Sequence, residues 1–226
     1  MNAEQPALAM SQGPLASAWP LFALRIRSER LVMRLPTDAD LLAMIDLARA
    51  GIHPPDTMPF SVAWSVRPSP DFERAFLQHH WLARAQWSED DWRLNLMVEW
   101  DGRVIGSQSI WGLAFPVHRA VDTGSWLGSS FQGQGLGKEM RSAALAFVFD
   151  SLGARLARSE AFLDNAASMA VSRSLGYEDD GFGAHAPQGV SRETRRYRLT
   201  ADGWRARRRS PVTVDGLETC REMFGG

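Results

Sequence analysis

The chain has 226 residues, 45% of them apolar and 23% charged, with 25 Lys plus Arg against 26 Asp plus Glu. That is enough for one domain with a well-buried core, and a charge balance so close to neutral gives no bulk attraction to nucleic acid or to an acidic membrane surface. The single cysteine, Cys220, excludes an internal disulfide and a cysteine-based metal site and fits the reducing cytoplasm, and no apolar run approaches the ~18 to 20 residues of a membrane span.

Residues 1–22 are rich in Ala, Gln, Ser and Pro and lack a basic start followed by an apolar stretch, so they read as a flexible tail and not as a secretion signal. Leu24, Ile26, Leu31, Val32 and Met33 among charges predict one strand over 24–35, ended by Pro36. Thr37 then stands as an N-cap before Leu41, Met44, Ile45 and Ala48 at helical spacing, with Gly51 as the stop. Five prolines between His53 and Pro70 exclude helix and central strand, leaving a long shaped loop that carries Met58, Phe60 and Trp64. A second helix is predicted from Asp71 to Gln86, with Phe72, Phe76 and Leu77 on one side.

The period changes at Trp92, Leu94, Leu96, Val98 and Trp100, which alternate up to Asp101 and Gly102 and predict a hairpin. A return strand through Ile105 and Ile110 and a third from Arg119 to Leu127 complete a meander. Leu136, Met140, Ala143, Phe147 and Val148 restore the helical period, followed by a strand over 154–163, a short helix over 166–175 and two closing strands. This order is not the strict alternation of a doubly wound sheet. Near the C-terminus Arg205, Arg207, Arg208 and Arg209 read as a solvated helix end.

The most informative segment is Gln132, Gly133, Gln134, Gly135, Leu136, Gly137, Lys138, where a strand ends and a helix begins. Alternating glycines let several backbone N–H groups converge on one anion, and the positive end of the helix adds to the attraction, so a phosphate or pyrophosphate is the expected guest. A Walker A loop would need Gly at position 132 and Ser or Thr at 139, where the chain has Gln132 and Glu139. A dinucleotide fingerprint would need Gly at 138 or 140, where it has Lys138 and Met140. As a short glycine motif, the run also reads as a tight turn capping a helix.

Gln132, Gly135 and Gly137 fill the coenzyme A pyrophosphate loop of the GNAT N-acyltransferases, and a second signature of that family follows as Asn165, Ala166, Ala167, Ser168, Leu175, Gly176, Tyr177. With Trp126, Leu127 and Gly128 ahead of the loop, the chain resembles the RimJ and RimL branch over about residues 24–204. The resemblance implies an α+β fold with a central mixed, mostly antiparallel sheet flanked by helices. It divides the chain into a tail (1–22), a domain (23–204) and a C-terminal extension (205–226). It also implies acetyl-CoA, or another short acyl-CoA such as succinyl-CoA, as co-substrate, no metal, and an amine of a small molecule or peptide as acceptor. A homodimer is compatible with this reading.

By the same resemblance, the backbone of Ser125 and Leu127 lies along the pantetheine and the thioester carbonyl. The amides from Gln132 to Lys138 hold the pyrophosphate, and Asn165 reaches the pantetheine or the acceptor. Asn165 is equally an ordinary helix cap, and Leu127 a core residue. The tyrosine that many members place seven residues after the asparagine is Ser172 here, so Ser168 becomes the proton donor to the departing thiolate, with Tyr177 second. For the base, the sequence offers Glu193, Asp122 and His118, with a slight preference for Glu193. The proline-rich loop supplies the acceptor pocket, with Asp56, Phe60 and Trp64 lining it, or else covers the core. A succinyl donor would call for Arg119 or His118 near the acyl end. A domain that binds acyl-CoA without turnover is the alternative from another functional class.

Overall fold

The computed structural model describes residues 14–207 and 210–226, so Arg208, Arg209 and the first thirteen residues of the expected tail lie outside the described residues. In chain order the elements are α1 (Pro14–Ala18), β1 (Arg25–Arg27), β2 (Leu31–Arg34), α2 (Asp38–Arg49), α3 (Asp71–Ala85), β3 (Asp91–Trp100) and β4 (Arg103–Leu113). Then come α4 (Phe115–His118), β5 (Ala120–Leu127), α5 (Leu136–Ala146), β6 (Leu156–Phe162), α6 (Ala166–Ser174), β7 (Glu178–His185), β8 (Arg192–Thr200), α7 (Ala201–Arg205) and β9 (Thr213–Asp215). One sheet holds the strands in the order β7-β8-β6-β5-β4-β3-β2-β1-β9. Among the described strands only β5 and β6 run parallel; the other neighbouring pairs are antiparallel.

Local chemistry explains most of these elements. Thr37 and Asp40 form a reciprocal capping box that starts α2. Asp101 (φ 51°) and Gly102 (φ 69°) both sit in the left-handed region, as the tight β3–β4 hairpin requires. The apolar stripe of α5 buries Leu136, Met140, Ala143 and Ala144 against one face of the sheet, continuous with Leu94, Leu96 and Val98 of β3. On the other face α2 and α3 pack Leu41, Met44, Ile45, Phe72 and Phe76 against Met97, with Phe60 and Trp64 of the long loop closing over them.

The predicted strand over 24–35 is a hairpin instead. β1 and β2 pair with Arg25 opposite Arg34 and Arg27 opposite Val32, because the polar run Ser28, Glu29, Arg30 turns outward, where Ser28 and Arg30 bond the Glu139 carboxylate. The segments flanking the matched strands and helices join the core. Leu21, in a 3-10 turn before β1, is fully buried. At the far end, β9 adds an edge strand by pairing Val214 with Ile26, and Leu217, Cys220 and Phe224 are buried. Burial pushes the Cys220 thiol up to about 11, which keeps it protonated and unreactive.

His80 on α3 is a buried group with a measurable consequence. Its ring lies 5.0 Å from Phe76, and burial, with the Coulombic effect of His79 and Arg84 added, lowers its pKa to about 3. The unfolded chain therefore binds a proton near pH 6.5 that the folded chain refuses until near pH 3. The contribution of this neutral imidazole is complete above pH ~6.5 and is lost as pH falls, at up to about 1.4 kcal/mol per unit. Chemical denaturation between pH 7 and 4 is expected to show that slope, and His80→Phe is expected to flatten it.

Candidate active site

β5 and β6 pair from Ala120 opposite Leu156 as far as Thr123 opposite Ser159, and there the pairing stops. β5 continues through Gly124–Leu127 held only by β4, with Gln108 opposite Ser125 and Gly106 opposite Leu127. β6 continues to Phe162 held only by β8. The two strands part into a wedge whose inner edges carry backbone amides and carbonyls with no ladder partner across the gap, a surface suited to an extended amide-bearing chain.

At the open end of the wedge β5 runs into the glycine turn. Gly133 (φ 74°) and Gly135 (φ 77°) are both left-handed, a conformation that a side chain would strain, and Gly135 is the N-cap of α5. The first-turn N–H groups of Leu136, Gly137 and Lys138 have no acceptor within the helix and point outward with its positive end. The Gln132 side chain is engaged elsewhere: its Nε2 donates to Ile52 O and Leu127 O, each at 2.9 Å, and so ties the turn to the end of β5 and to the segment after α2. The Gln134 amide donates to Ser130 O, while the Lys138 side chain is exposed. Beside the turn a depression of about 410 Å³ between α5, α6 and the C-terminal segment is lined by Gly135, Lys138, Ser142, Leu175 and Arg207.

The helices after the two strands complete the α5 side of the wedge. Asn165 caps α6 by accepting from Ser168 N at 3.0 Å, so the ordinary cap is present and its Nδ2 is what it can still offer. The Ser168 side chain is partly buried one turn into α6. Ser172 is fully buried, and its hydroxyl has no hydrogen-bond partner. Arg141 of α5 reaches into the point of divergence and donates to Ser125 Oγ and Ser159 Oγ, both at 2.9 Å. Tyr177, also buried, lies 3.4 Å from Thr123 Oγ1, and burial raises its hydroxyl above the usual range.

Strand alternation puts Trp126, Asp122 and Glu160 on the opposite face, toward α2 and α3. There Trp126 packs 5.9 Å from Trp64, which in turn meets Phe60 at 4.9 Å and Phe72 at 6.0 Å. Glu160 is the first residue of β6 beyond the point where the strands part. Its carboxylate accepts from Thr194 and meets His185 Nε2 at 3.1 Å. Burial, followed by Glu160 as a like charge, raises the Asp122 carboxyl against the lowering effect of Arg158.

Phe60, Trp64, Ser125, Leu127 and the turn from Gln132 to Lys138 are thus brought around one wedge, with Asn165 and Ser168 on the adjoining helix. Other sequence candidates are not gathered there. Glu193 is exposed and falls on the reverse face of β8 from Thr194, so it does not share the Glu160 side. Asp56 is exposed in the Pro54–Thr57 turn. His118 and Arg119 precede β5, some six residues or ~20 Å from the wedge along the strand. Arg141 and Glu160 are not among the sequence candidates, although an arginine next to Met140 on the buried arc of α5 is a visible signal.

A family model described as an acetyltransferase (GNAT) domain matches residues 30–178, more than half of the chain. Among solved structures, RimJ of Mycobacterium smegmatis in complex with CoA-disulfide is similar at TM-score 0.64 and 20% identity, over 80% of this chain and 86% of that one. RimL, named as a ribosomal alpha-N-protein acetyltransferase in complex with coenzyme A, gives 0.60 and 18% over 78% and 97%. A GNAT-family acetyltransferase from Bacillus anthracis gives 0.62 and 14% over 79% and 99%. The parted strands, the glycine turn and the family match agree: the chain belongs to the GNAT acetyltransferase family.

Proposed function

We propose that the protein transfers a short acyl group, acetyl first among them, from coenzyme A to the primary amine of a small molecule or a peptide N-terminus by direct attack in a ternary complex. The observation that carries this reading is the wedge between β5 and β6 opening onto the glycine turn at the start of α5. The pyrophosphate rests on the free amides of that turn, the nucleotide lies over the adjoining depression, and the pantetheine follows the unpaired edge of β5. The thioester carbonyl meets backbone N–H donors of Gly124–Leu127, which polarise it.

The amine enters from the α2 and α3 face, between the Phe60, Trp64 and Trp126 rings and the Asp122 and Glu160 carboxylates. Aromatic walls beside two acidic side chains suit a cationic amine carried on an apolar body. Glu160, oriented by Thr194 and His185, takes the proton that the attacking amine must lose, the role the sequence assigned to Glu193. The likeness to RimL, whose name specifies protein N-termini, makes a peptide acceptor one class to offer.

A second reading rests on Ser172, which stands where many members carry the tyrosine: a domain that binds acyl-CoA and does not turn it over. Thiol release separates the two. With acetyl-CoA and succinyl-CoA offered separately against free amines, polyamines and short peptides, free thiol is expected to form faster than without amine for at least one pair, acetyl-CoA included. Tight coenzyme A binding by calorimetry with no release from any pair would favour the binding domain.

A further inference from the structure

The side of the wedge that faces α5 holds more unsatisfied polarity than the backbone contacts of an acyl donor would use. Arg141 is buried, spends one N–H on Ser125 and one on Ser159, and keeps its Nε buried without a hydrogen-bond partner. No carboxylate among the described residues forms an ion pair with it. The Ser172 hydroxyl, the Tyr197 hydroxyl and Gln108 Oε1 are likewise buried without partners. Gln108 lies opposite Ser125 and Tyr197 opposite Ser159, the two serines that Arg141 bonds, so both residues stand beside the point where β5 and β6 part. A buried cation without a counter-charge is costly, and such a group persists where an anion arrives during function.

We propose that Arg141 supplies the counter-charge for the coenzyme A sulfur as it leaves, acting through Ser125 as a positioning residue for the acyl-transfer step. The guanidinium N–H occupies a lone pair of Ser125 Oγ, so the serine's own hydrogen points away from Arg141. Ser125 is half-buried on the strand edge that faces the gap, and its hydrogen is therefore offered to the sulfur. In the step itself the amine nitrogen forms the C–N bond, its proton passes to Glu160, and the C–S electron pair goes to sulfur. The thiolate leaves as an anion, held by the Ser125 hydrogen bond in the field of Arg141, and takes its proton from solvent after release. No proton donor is required at position 172, which accounts for a serine there.

The titratable groups facing Arg141 are Tyr177 and, from β8, Tyr197; Asp122 lies on the reverse face of β5. Burial holds the Tyr177 hydroxyl above its usual range, well clear of a coenzyme A thiol, so a shift of that thiol reports on the arginine.

The inference rests on the acyl-transfer reading, and the experiment separates the two. The ultraviolet absorbance of the thiolate of bound coenzyme A is titrated against pH in the wild type, Arg141→Lys, Arg141→Met and Ser125→Ala. In the wild type the bound thiol is expected to ionise about one to two units below its usual ~8.5. Arg141→Met is expected to return it to the free value and to lower kcat about 10²-fold with KM for acyl-CoA changed less than about threefold. Arg141→Lys should keep part of the shift and Ser125→Ala should lose part of it. Tight binding with an unshifted thiol in the wild type, or an unchanged shift in Arg141→Met, overturns the proposal and leaves the acyltransferase standing. If Arg141→Met does not fold, the wild-type and Ser125→Ala titrations decide. A wild type that binds no coenzyme A overturns both readings.

Discussion

Glu160→Gln is expected to lower kcat for amine acylation by about 10²-fold, the usual loss when a positioned general base is removed, while KM for acyl-CoA moves less than about threefold. The carboxylate sits on the α2 and α3 side of the wedge, one residue past the last β5–β6 pair, and its partners Thr194 and His185 remain in place around the neutral amide. Glu193→Gln, on the reverse face, is expected to change kcat less than about twofold. A third variant tests placement without removing the acid: a Cβ at Gly183 would come 2.5 Å from Glu160 Oε1, so Gly183→Ala must displace the carboxylate and should lower kcat with its charge intact. Steady-state kinetics of the three variants against one amine check this. Equal losses in Glu160→Gln and Glu193→Gln would remove Glu160 from the role.

Phe224→Ala is expected to cost about 3 to 5 kcal/mol of stability, although the residue lies two positions from the C-terminus and beyond the segment that matches the family model. Its ring meets Trp92 at 5.0 Å and 90°, Trp87 at 5.5 Å and Phe147 at 5.7 Å, and it is 1% exposed. Truncation leaves a cavity between β3, the end of α5 and the C-terminal turn, which the surrounding rings can fill only in part. For a domain of this size that corresponds to a fall in Tm of about 10 °C. Thermal unfolding followed by near-ultraviolet circular dichroism checks it, while kcat measured well below the transition should stay near the wild-type value. A fall of less than about 2 °C would mean that the C-terminal segment does not hold the core together.

Much of the molecule was written locally. The Thr37 cap, the Asp101–Gly102 turn, the alternation through β3 and the apolar stripe of α5 each depend on neighbours within a few residues, so sequence periodicity carried them into structure unchanged. The glycine turn was legible for the same reason, since left-handed backbone at Gly133 and Gly135 and the start of α5 are set within one short segment. The loop that carries Phe60 and Trp64 could be placed by its prolines, because they forbid regular structure wherever the chain goes next.

What the tertiary structure decided concerns partners distant in sequence. Residues 25–27 and 213–215 meet as β1 and β9, a pairing of Ile26 with Val214 that no local pattern announces. A short strand with polar neighbours has no signature until another edge supplies its hydrogen bonds. The wedge exists because β6 takes β8 as its second neighbour and leaves β5 after Ser159, so its position depends on registers across three strands. The same registers separate Glu160 from Glu193. Both are acidic residues on strands in the linear sequence, yet a side chain's face is fixed only when its strand is paired, and a shift of one residue would exchange them. Arg141 shows the complementary case: sequence set a charge among apolar residues on α5, and only the parted strands gave that buried charge a place to act.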